Sequence, residues 1–436
     1  MKNVLKVSLL AIVLAFGIDE APGQFGGTWA KDAHNPLLSG VGSGAWNHHV
    51  TQPSVVYNAD SSRYEVWFVG FTGAPGPNND YHPYNIGFAY SKDGANWTMY
   101  PSPVLSPSPG TWDAYTVDIP MVIRQNGQYK MWYTSFLSPT SPDYLGYATS
   151  PDGIHWTKYS GNPVMGPGKA PWEVAGPYGC SVMPFQGGYK MWYAGVDATF
   201  LKDNIGYATS TDGIAWVKDT IDNPVLKPGA ANQWDDFFVG VPQVLQIGST
   251  YYMWYTGWQS SANPEAVGVA SSTDGGKTWI KDDTNPVLRP TAGGWDGSYL
   301  QCGTVRQRRD TLDMWYGGLL TPISSNFFEI GHATLKIPTG ITLKEGEIPK
   351  HFTLLQNYPN PFNPSTIIRF ELPKSSEVRL SVYDILGREV SVLVNERRDV
   401  GVHEVKFDGS DLASGMYFYR LQAGDFVQTR KLLLLK

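Results

Sequence analysis

Apolar and polar residues alternate along most of the chain, as in Tyr129-Lys130-Met131-Trp132-Tyr133. A period of two predicts strands, and no amphipathic helix of useful length competes with them. The alternating runs are copies of one another. An opening Trp recurs at Trp46, Trp112, Trp172, Trp234 and Trp295, with spacings of 66, 60, 62 and 61. A central Trp recurs at Trp67, Trp132, Trp192, Trp254 and Trp315, with spacings of 65, 60, 62 and 61. A glycine follows at Gly87, Gly146, Gly206, Gly268 and Gly331. An Asp-Gly pair follows at Asp93, Asp152, Asp212 and Asp274, and the fifth copy lacks it. Self-similarity at a fixed period marks a repeat architecture.

Each copy reads as four strands. In the second, Thr116–Ile123 predicts the first, Tyr129–Thr134 the second and Leu145–Ser150 the third. Asp152-Gly153 makes the tight turn, and Trp156 begins the fourth. Four-stranded units repeated radially predict the blades of a β-propeller. The fifth copy stops after Thr334 without its fourth strand, while Thr28-Trp29-Ala30-Lys31 and Asn35-Pro36-Leu37-Leu38 supply that piece at the other end of the chain. The expected fold class is therefore all-β: a five-bladed β-propeller over residues 24–336, closed by its N-terminal strand. Closing the ring removes an exposed edge. Residues 337–350 read as a linker, and a second, smaller β domain follows over 351–436, with alternation in Val378–Tyr383 and Met416–Leu421.

Composition agrees with many short strands and turns: aromatic residues reach 14%, and there are 47 Gly and 32 Pro. The net charge of −6, with no basic cluster before the extreme C-terminus, argues against a nucleic-acid partner. Residues 1–23 read as a signal peptide: Lys2 and Lys6, an apolar run from Leu5 to Ile18, then Ala21-Pro22-Gly23. An exported protein with only Cys180 and Cys302 does not rest on a disulfide framework. The two lie in repeats three and five, which are not neighbours in a ring of five, so they are expected to be unpaired.

Two resemblances follow from particular phrases. Asn357-Tyr-Pro-Asn-Pro-Phe-Asn-Pro-Ser-Thr366, Tyr383-Asp-Ile-Leu-Gly387 and Leu412-Ala-Ser-Gly-Met-Tyr417 resemble the C-terminal sorting domain of the type IX secretion system. That resemblance implies an immunoglobulin-like β-sandwich, recognition by the secretion machinery, and a secreted or cell-surface protein. Ile205-Gly-Tyr-Ala-Thr-Ser-Thr-Asp-Gly-Ile-Ala-Trp216 and Asn223-Pro-Val-Leu226 resemble the five-bladed propeller glycosidases: the arabinanase/xylosidase, invertase/fructanase and mannoside-phosphorylase groups. Ser272-Thr-Asp-Gly-Gly-Lys-Thr-Trp279 also matches the Asp-box of sialidases, a structural hairpin there. The Asp residues of the Asp-Gly turns are accordingly read as turn formers.

A residue present in every copy reads as scaffold, and a lone polar residue needs another reason. The acid after the opening Trp recurs as Asp113, Glu173, Asp235 and Asp296, with Asn47 in copy one, and reads as mainly structural. Asp118 is a lone carboxylate six residues past Trp112, where the other copies have Gln52, Tyr178, Gly240 and Gln301. Glycoside hydrolysis needs one protonated and one ionised carboxyl group. By resemblance to the arabinanase/xylosidase group, Asp118 tunes the acid and orients substrate, Glu173 stands where the general acid does, and the first blade should carry a base or nucleophile Asp. The first blade instead has His48-His49-Val-Thr-Gln52-Pro53. Asp197 and Asp236 stand in reserve as catalytic groups. His48, His49, Gln52, Phe71, Tyr178, Trp258 and Gln301 are candidates for substrate binding, and Tyr81, His82, Phe136 and Phe200 add aromatic rings to the same loops. A phosphorylase would need fewer carboxylates, and Arg306, Arg308 and Arg309 could then hold phosphate, although such a run also reads as a solvated strand or turn. No zinc-ligand spacing, trusted Ser-His-Asp order or phosphate loop occurs. No cofactor is expected. Related propellers can hold a calcium ion at the funnel base, and no loop here demands one. Two functions stay open: an exported glycosidase acting on a carbohydrate, and a silent propeller that binds a glycan or another surface ligand. A monomer is expected in either case.

Overall fold

The computed structural model describes residues 25–435 other than 26, 43, 73–82, 139, 186–187, 200–202, 260–263, 309, 321–326, 338–350, 358–359 and 399–400. The expected signal peptide lies outside the described residues, as do Tyr81, His82, Phe200, Arg309 and nearly all of the expected linker. Strands account for the regular structure; the only helical turn among the described residues is Pro171–Glu173.

Each repeat forms one antiparallel sheet. In the first four units the strand order follows the chain. Unit one contains His49–Asn58, Arg63–Phe71, Asn85–Ser91 and Thr98–Met99. Unit two contains Asp118–Gln125, Gln128–Ser135, Tyr144–Ser150 and Thr157–Lys158. Units three and four begin with Gly176–Phe185 and Phe238–Ile247 and end with Val217–Lys218 and Ile280–Lys281. Unit five holds Tyr299–Arg308, Thr311–Leu319 and Glu329–Lys336, and its fourth place is taken by Ala30–Lys31 from the start of the chain. The first strands touch in cyclic order, with that of unit five against that of unit one. They therefore line the axis of a closed ring.

The recurring words each perform one task. The central Trp is fully buried and lies against the next unit. The indole N–H of Trp67, Trp132 and Trp192 donates at 2.8 Å to the turn carbonyl of Gly153, Gly213 and Gly276, and Trp315 reaches Gly94 at 3.3 Å. Asp-Gly supplies the turn: the Asp152 carboxylate accepts from the N–H of Ile154 and His155, and Gly153 takes the positive φ of 80°. The acid after the opening Trp is a strut. Asp113, Glu173, Asp235 and Asp296 pair with Lys158, Lys218, Lys281 and Lys31 at 2.5, 2.7, 2.6 and 2.5 Å. Each also accepts from the Tyr that follows the central Trp: Tyr133, Tyr193, Tyr255 and Tyr316. Unit one replaces both partners together, with Asn47 donating to the sulfur of Met99.

Closure uses these same contacts. Lys31 braces Asp296, and Asn35 exchanges hydrogen bonds with the backbone of His332 as Asn162 does with Tyr147. One contact is missing at the seam. Unit five has no Asp-Gly turn, so the Trp254 indole N–H has no acceptor, and Trp29 packs edge-to-face on it at 6.2 Å. Cys180 and Cys302 are buried, unpaired thiols.

From residue 351 a second body begins, with its own core. A three-stranded sheet (Thr353–Leu354, Ser365–Leu372, Gly401–Asp408) and a four-stranded sheet (Ser376–Tyr383, Glu389–Arg398, Gly415–Ala423, Phe426–Leu434) share Phe370, Leu380, Tyr419 and Leu421 in one cluster. Asn357, from the Tyr-Pro-Asn phrase, ties them: its N–H donates to the Tyr419 hydroxyl and its amide to Thr366.

Unit one provides the design of a stability test. Lys31→Met leaves the buried Asp296 carboxylate without its cation and is expected to cost about 2 kcal/mol. Adding Asp296→Asn copies the Asn47–Met99 pair and should restore more than half of that loss. Chemical unfolding of the single and double variants measures both.

Candidate functional site

Each inner strand starts irregularly. Sheet pairing slips between Thr51 and Ser54, Asp118 and Met121, Tyr178 and Cys180, Gly240 and Gln243, and Cys302 and Thr304. The backbone there adopts positive φ: 52° at Gln52, 39° at Ile119, 60° at Gly179 and 47° at Val241. Glycine accepts this freely, whereas β-branched Ile119 and Val241 do not. Such conformations cost about 1–3 kcal/mol each and persist only where their surroundings enforce them. A bulge of this kind re-aims its flanking side chains, here at one end of the axis.

The pairing corrects one equivalence. Counting from the opening Trp matches Gln52 with Asp118. In the sheets, the residues facing the position two past the central Trp are Thr51, Asp118, Tyr178, Gly240 and Gln301. Thr51 is thus the counterpart, and Gln52 matches Ile119. Unit one is one residue shorter before its inner strand and turns through Ala59–Ser62 where unit two uses Asn126-Gly127.

Asp118 is 4% exposed. Its Oδ1 accepts from the Ile119 N–H at 2.8 Å. Burial outweighs that bond and pushes its pKa up to about 7. It is not alone, because the start of the third strand adds three more carboxyls. At the position three residues before the recurring Gly, the units carry Tyr84, Asp143, Asp203, Glu265 and Phe328. Burial and then the charge of Asp118 raise Asp143 to about 8. Burial, Asp143 and Asp197 hold Asp203 well above the carboxylate range. Burial and Asp203 raise Glu265 to about 8. The four therefore form an arc over units two to four, each acting on the next. Sequence reasoning passed over Asp143, Asp203 and Glu265 because it read recurrence as scaffold. The signal was present: unlike Asp113 and its counterparts, these acids have no lysine set aside for them in the repeat.

The remaining side of the axis is aromatic. The His49 ring stacks on Phe71 at 4.7 Å, Phe71 meets Tyr84 at 4.7 Å, and Phe328 lies 5.2 Å from Tyr299. His49 Nδ1 accepts from the Phe328 N–H at 3.1 Å, and burial followed by the nearby His48 lowers its pKa to about 4. It is neutral at physiological pH. His48 bonds Val41 O at 2.9 Å and its ring touches His49 at 5.0 Å. Adjacent residues of a strand point to opposite faces. The strand begins only at His49, so His48 is free of the alternation.

Tyr178 connects the two sides. Its hydroxyl feels the charges of Asp118 and Asp143 and lies beside the Gln52 amide and Tyr84. Gln52 Nε2 donates to Gln301 Oε1 at 2.9 Å across the seam between units one and five. Gln52 Oε1, Thr51 Oγ1 and Glu265 Oε2 are enclosed and have no partner. Glu173 stands elsewhere: Lys218 and Tyr193 hold it in the strut of unit three. Asp197 accepts from Thr199 in the loop after the second strand, and its charge reaches Asp203. Asp236 caps the Asn232 N–H at 2.7 Å. Trp258 packs on Phe237, and Phe136 on Tyr115. Arg306 and Arg308 end the inner strand of unit five, far from its bulge, where Arg308 forks onto Asp313 at 2.8 and 3.0 Å. No group of three or more metal-ligating side chains converges among the described residues.

Residues 356–435 match the family described as "Secretion system C-terminal sorting domain". An uncharacterized protein of Mycobacterium tuberculosis is 30% identical over 181 residues, 39% of this chain. The chain spans 56% of the length of that relative. A 1,2-beta-oligomannan phosphorylase of Thermoanaerobacter is 26% identical over 267 residues, 58% of this chain and 82% of that one. Among solved structures, a member of the GH130 family of mannoside phosphorylases and of glycoside hydrolases that target beta-1,2 mannosidic linkages superposes with a TM-score of 0.57. It covers 77% of this chain and 97% of its own at 18% identity. The ring thus has the fold of propeller-type glycoside hydrolases and phosphorylases, followed by a sorting domain.

The raised carboxyls leave a signature in stability. An unfolded Asp or Glu loses its proton near pH 4, whereas Asp118, Asp143 and Glu265 hold theirs to about 7, 8 and 8. Between those values the native state binds more protons than the unfolded one. Their contribution is fully present below about pH 4 and is lost as pH rises through about 8. Thermal unfolding between pH 5 and pH 9 should show that decline, and Asp143→Asn should flatten it. An unchanged slope would mean that Asp143 ionises normally.

Proposed function

We propose that this chain is an exported carbohydrate-active enzyme that hydrolyses a glycosidic bond at the carboxyl arc. The five sheets are read as the blades of a five-bladed β-propeller closed by Ala30–Lys31, and the last two sheets as an immunoglobulin-like sandwich that addresses the chain to type IX secretion. The observation that carries the catalytic reading is the coupled pair Asp118 and Asp143, buried together at the axis with protons held to about pH 7 and pH 8. Like charges that share a site titrate apart, so near neutrality one carboxyl is protonated while its neighbour is ionised. The protonated one delivers its proton to the leaving oxygen as the C–O bond breaks. The ionised one takes a proton from the water that attacks the anomeric carbon. Gln52, Gln301 and Tyr178 hold sugar hydroxyls, and Tyr84 and Phe328 suit sugar C–H groups.

Hydrolysis is favoured over phosphorolysis by charge. Among the described residues no arginine or lysine pairs with the arc, and Arg308 is committed to Asp313. Among the described residues a phosphate dianion beside four carboxyls would find no cation. Binding without turnover is the second reading. It is favoured by Thr51 and Gln52, which occupy the bulge of unit one where the arabinanase/xylosidase resemblance implies an Asp.

The 1,2-mannoside activities named for the relatives make β-1,2-mannobiose and β-1,2-oligomannan the first substrates to assay, followed by arabinan, xylan and fructan. Release of reducing sugar is expected without added phosphate. Asp118→Asn and Asp143→Asn should each lower kcat by about 100-fold or more. The rate should fall on the alkaline side, above about pH 7–8, as the acid loses its proton. Glycan binding that both variants retain, with no cleavage by the wild type, would leave the binding reading in place.

A further inference from the structure

The buried acids of the struts and outer sheets are matched by cations. Asp113, Glu173, Asp235 and Asp296 each have a lysine within 2.5 to 2.7 Å. Glu65 has Arg63 at 2.8 Å, and Asp313 has Arg308 at the same distance. The arc departs from this rule. Asp118, Asp143, Asp203 and Glu265 have no lysine, arginine or histidine partner among the described residues, and the one histidine nearby, His49, is neutral. Without a counter-charge these desolvated carboxyls keep their protons near neutral pH, and a cation beside them would let them ionise. The arrangement is explained if the counter-charge arrives with a ligand. Among the described residues these carboxyls are not gathered on one point as a metal would require. They are distributed over units two, three and four, which suits positive charges carried at intervals.

A second observation points to the same ligand. Gln52 is 7% exposed, and its amide nitrogen is used by Gln301. Its Oε1 has no donor. That amide lies beside the Tyr178 hydroxyl, which in turn senses Asp118 and Asp143. Glu265 Oε2, at the far end of the arc, is also enclosed and without a donor. Gln52 Oε1 can only accept, and Glu265 Oε2 accepts once that carboxyl ionises, so the missing partner is rich in N–H or O–H. Opposite the acids stand Tyr84 and Phe328, packed around the buried Phe71, aromatic rings that suit pyranose C–H groups or an ammonium group.

We propose that the site takes an amine-bearing glycan, an oligosaccharide with free hexosamine ammonium groups, with Asp203 and Glu265 as their counter-ions and Gln52 Oε1 as an acceptor. The inference rests on reading the arc as a carbohydrate site. It adds that Asp203 and Glu265 select the substrate rather than cleave it.

The test is titration calorimetry of the full chain with glucosamine and galactosamine tetramers, each against its fully N-acetylated counterpart. At least one amino form should bind about tenfold more tightly than its acetylated partner, because acetylation removes the charge and keeps the ring. Asp203→Asn and Glu265→Gln, made separately, should each shrink that preference about fivefold or more. Acetylated forms that bind as tightly as the amino forms in both series overturn the inference, and that result needs only the wild type. So does a preference that survives both variants. Cleavage is scored apart from binding. Amino oligomers bound and no glycan cleaved would overturn the hydrolytic reading alone. Neutral glycans cleaved with no preference for amines would overturn this inference alone.

Discussion

One hydrogen bond, repeated, holds the ring in register. The central indole of each unit is buried against the next unit and gives its N–H to the carbonyl of that unit's Asp-Gly turn. An indole has one donor and no acceptor, and burying it unpaired costs free energy. The turn must therefore present a carbonyl at one place and angle. This fixes how far each sheet is rotated from the last. The Asp side chain that shapes the turn, the Gly that permits its backbone and the Trp that reads it form one device with parts in two units. Between units four and five that device cannot exist, because unit five borrows its outer strand from the start of the chain and has no Asp-Gly turn. There the orphaned Trp254 is covered by Trp29, so packing replaces the hydrogen bond.

The strut and the arc show that recurrence has two meanings. Asp113, Glu173, Asp235 and Asp296 recur with a lysine and a tyrosine that recur with them, and unit one changes both members together to Asn47 and Met99. A recurring acid whose partner also recurs is scaffold. Asp143, Asp203 and Glu265 recur with no cationic partner among the described residues, and two aromatic residues complete their ring. They sit where the third strand starts, at the end of the axis that the bulges have already opened. The repeat thus supplies equivalent positions around one axis, and the chain uses three of them for charge and two for aromatic surface.

Much of the architecture was legible in the chain. The period, the missing fourth strand and the spare Trp29–Leu38 phrase specified a ring closed by its beginning, since those phrases are spacing and pattern. Asp118 was legible as the acid that the other copies lack. The rest failed for physical reasons. Gln52 was matched to Asp118 by counting from Trp46, and a short approach followed by a long turn defeats such counting; only the pairing of Thr51 with Val69 corrects it. Glu173 looked catalytic because its position in the third unit agreed with a resemblance, whereas Lys218 and Tyr193 hold it. The arc escaped notice because its three acids recur at one position, three residues before the repeated Gly, and only their burial and the absence of a recurring lysine set them apart from scaffold.

Closure through Lys31 and Asp296 also bears on how the molecule is made. The two ends of this bridge are 265 residues apart, and Asn35 reaches 297 residues to His332. Units one to four pair mostly within themselves and can form as the chain lengthens, while the ring's final contact waits until the fifth unit exists. Contacts of such long separation are slow to form. Until then the sheet of unit five has an open edge, and the buried Asp296 has no cation. The step that locks the ring is the last one available, and the sorting domain builds its own core from residues that take no part in it.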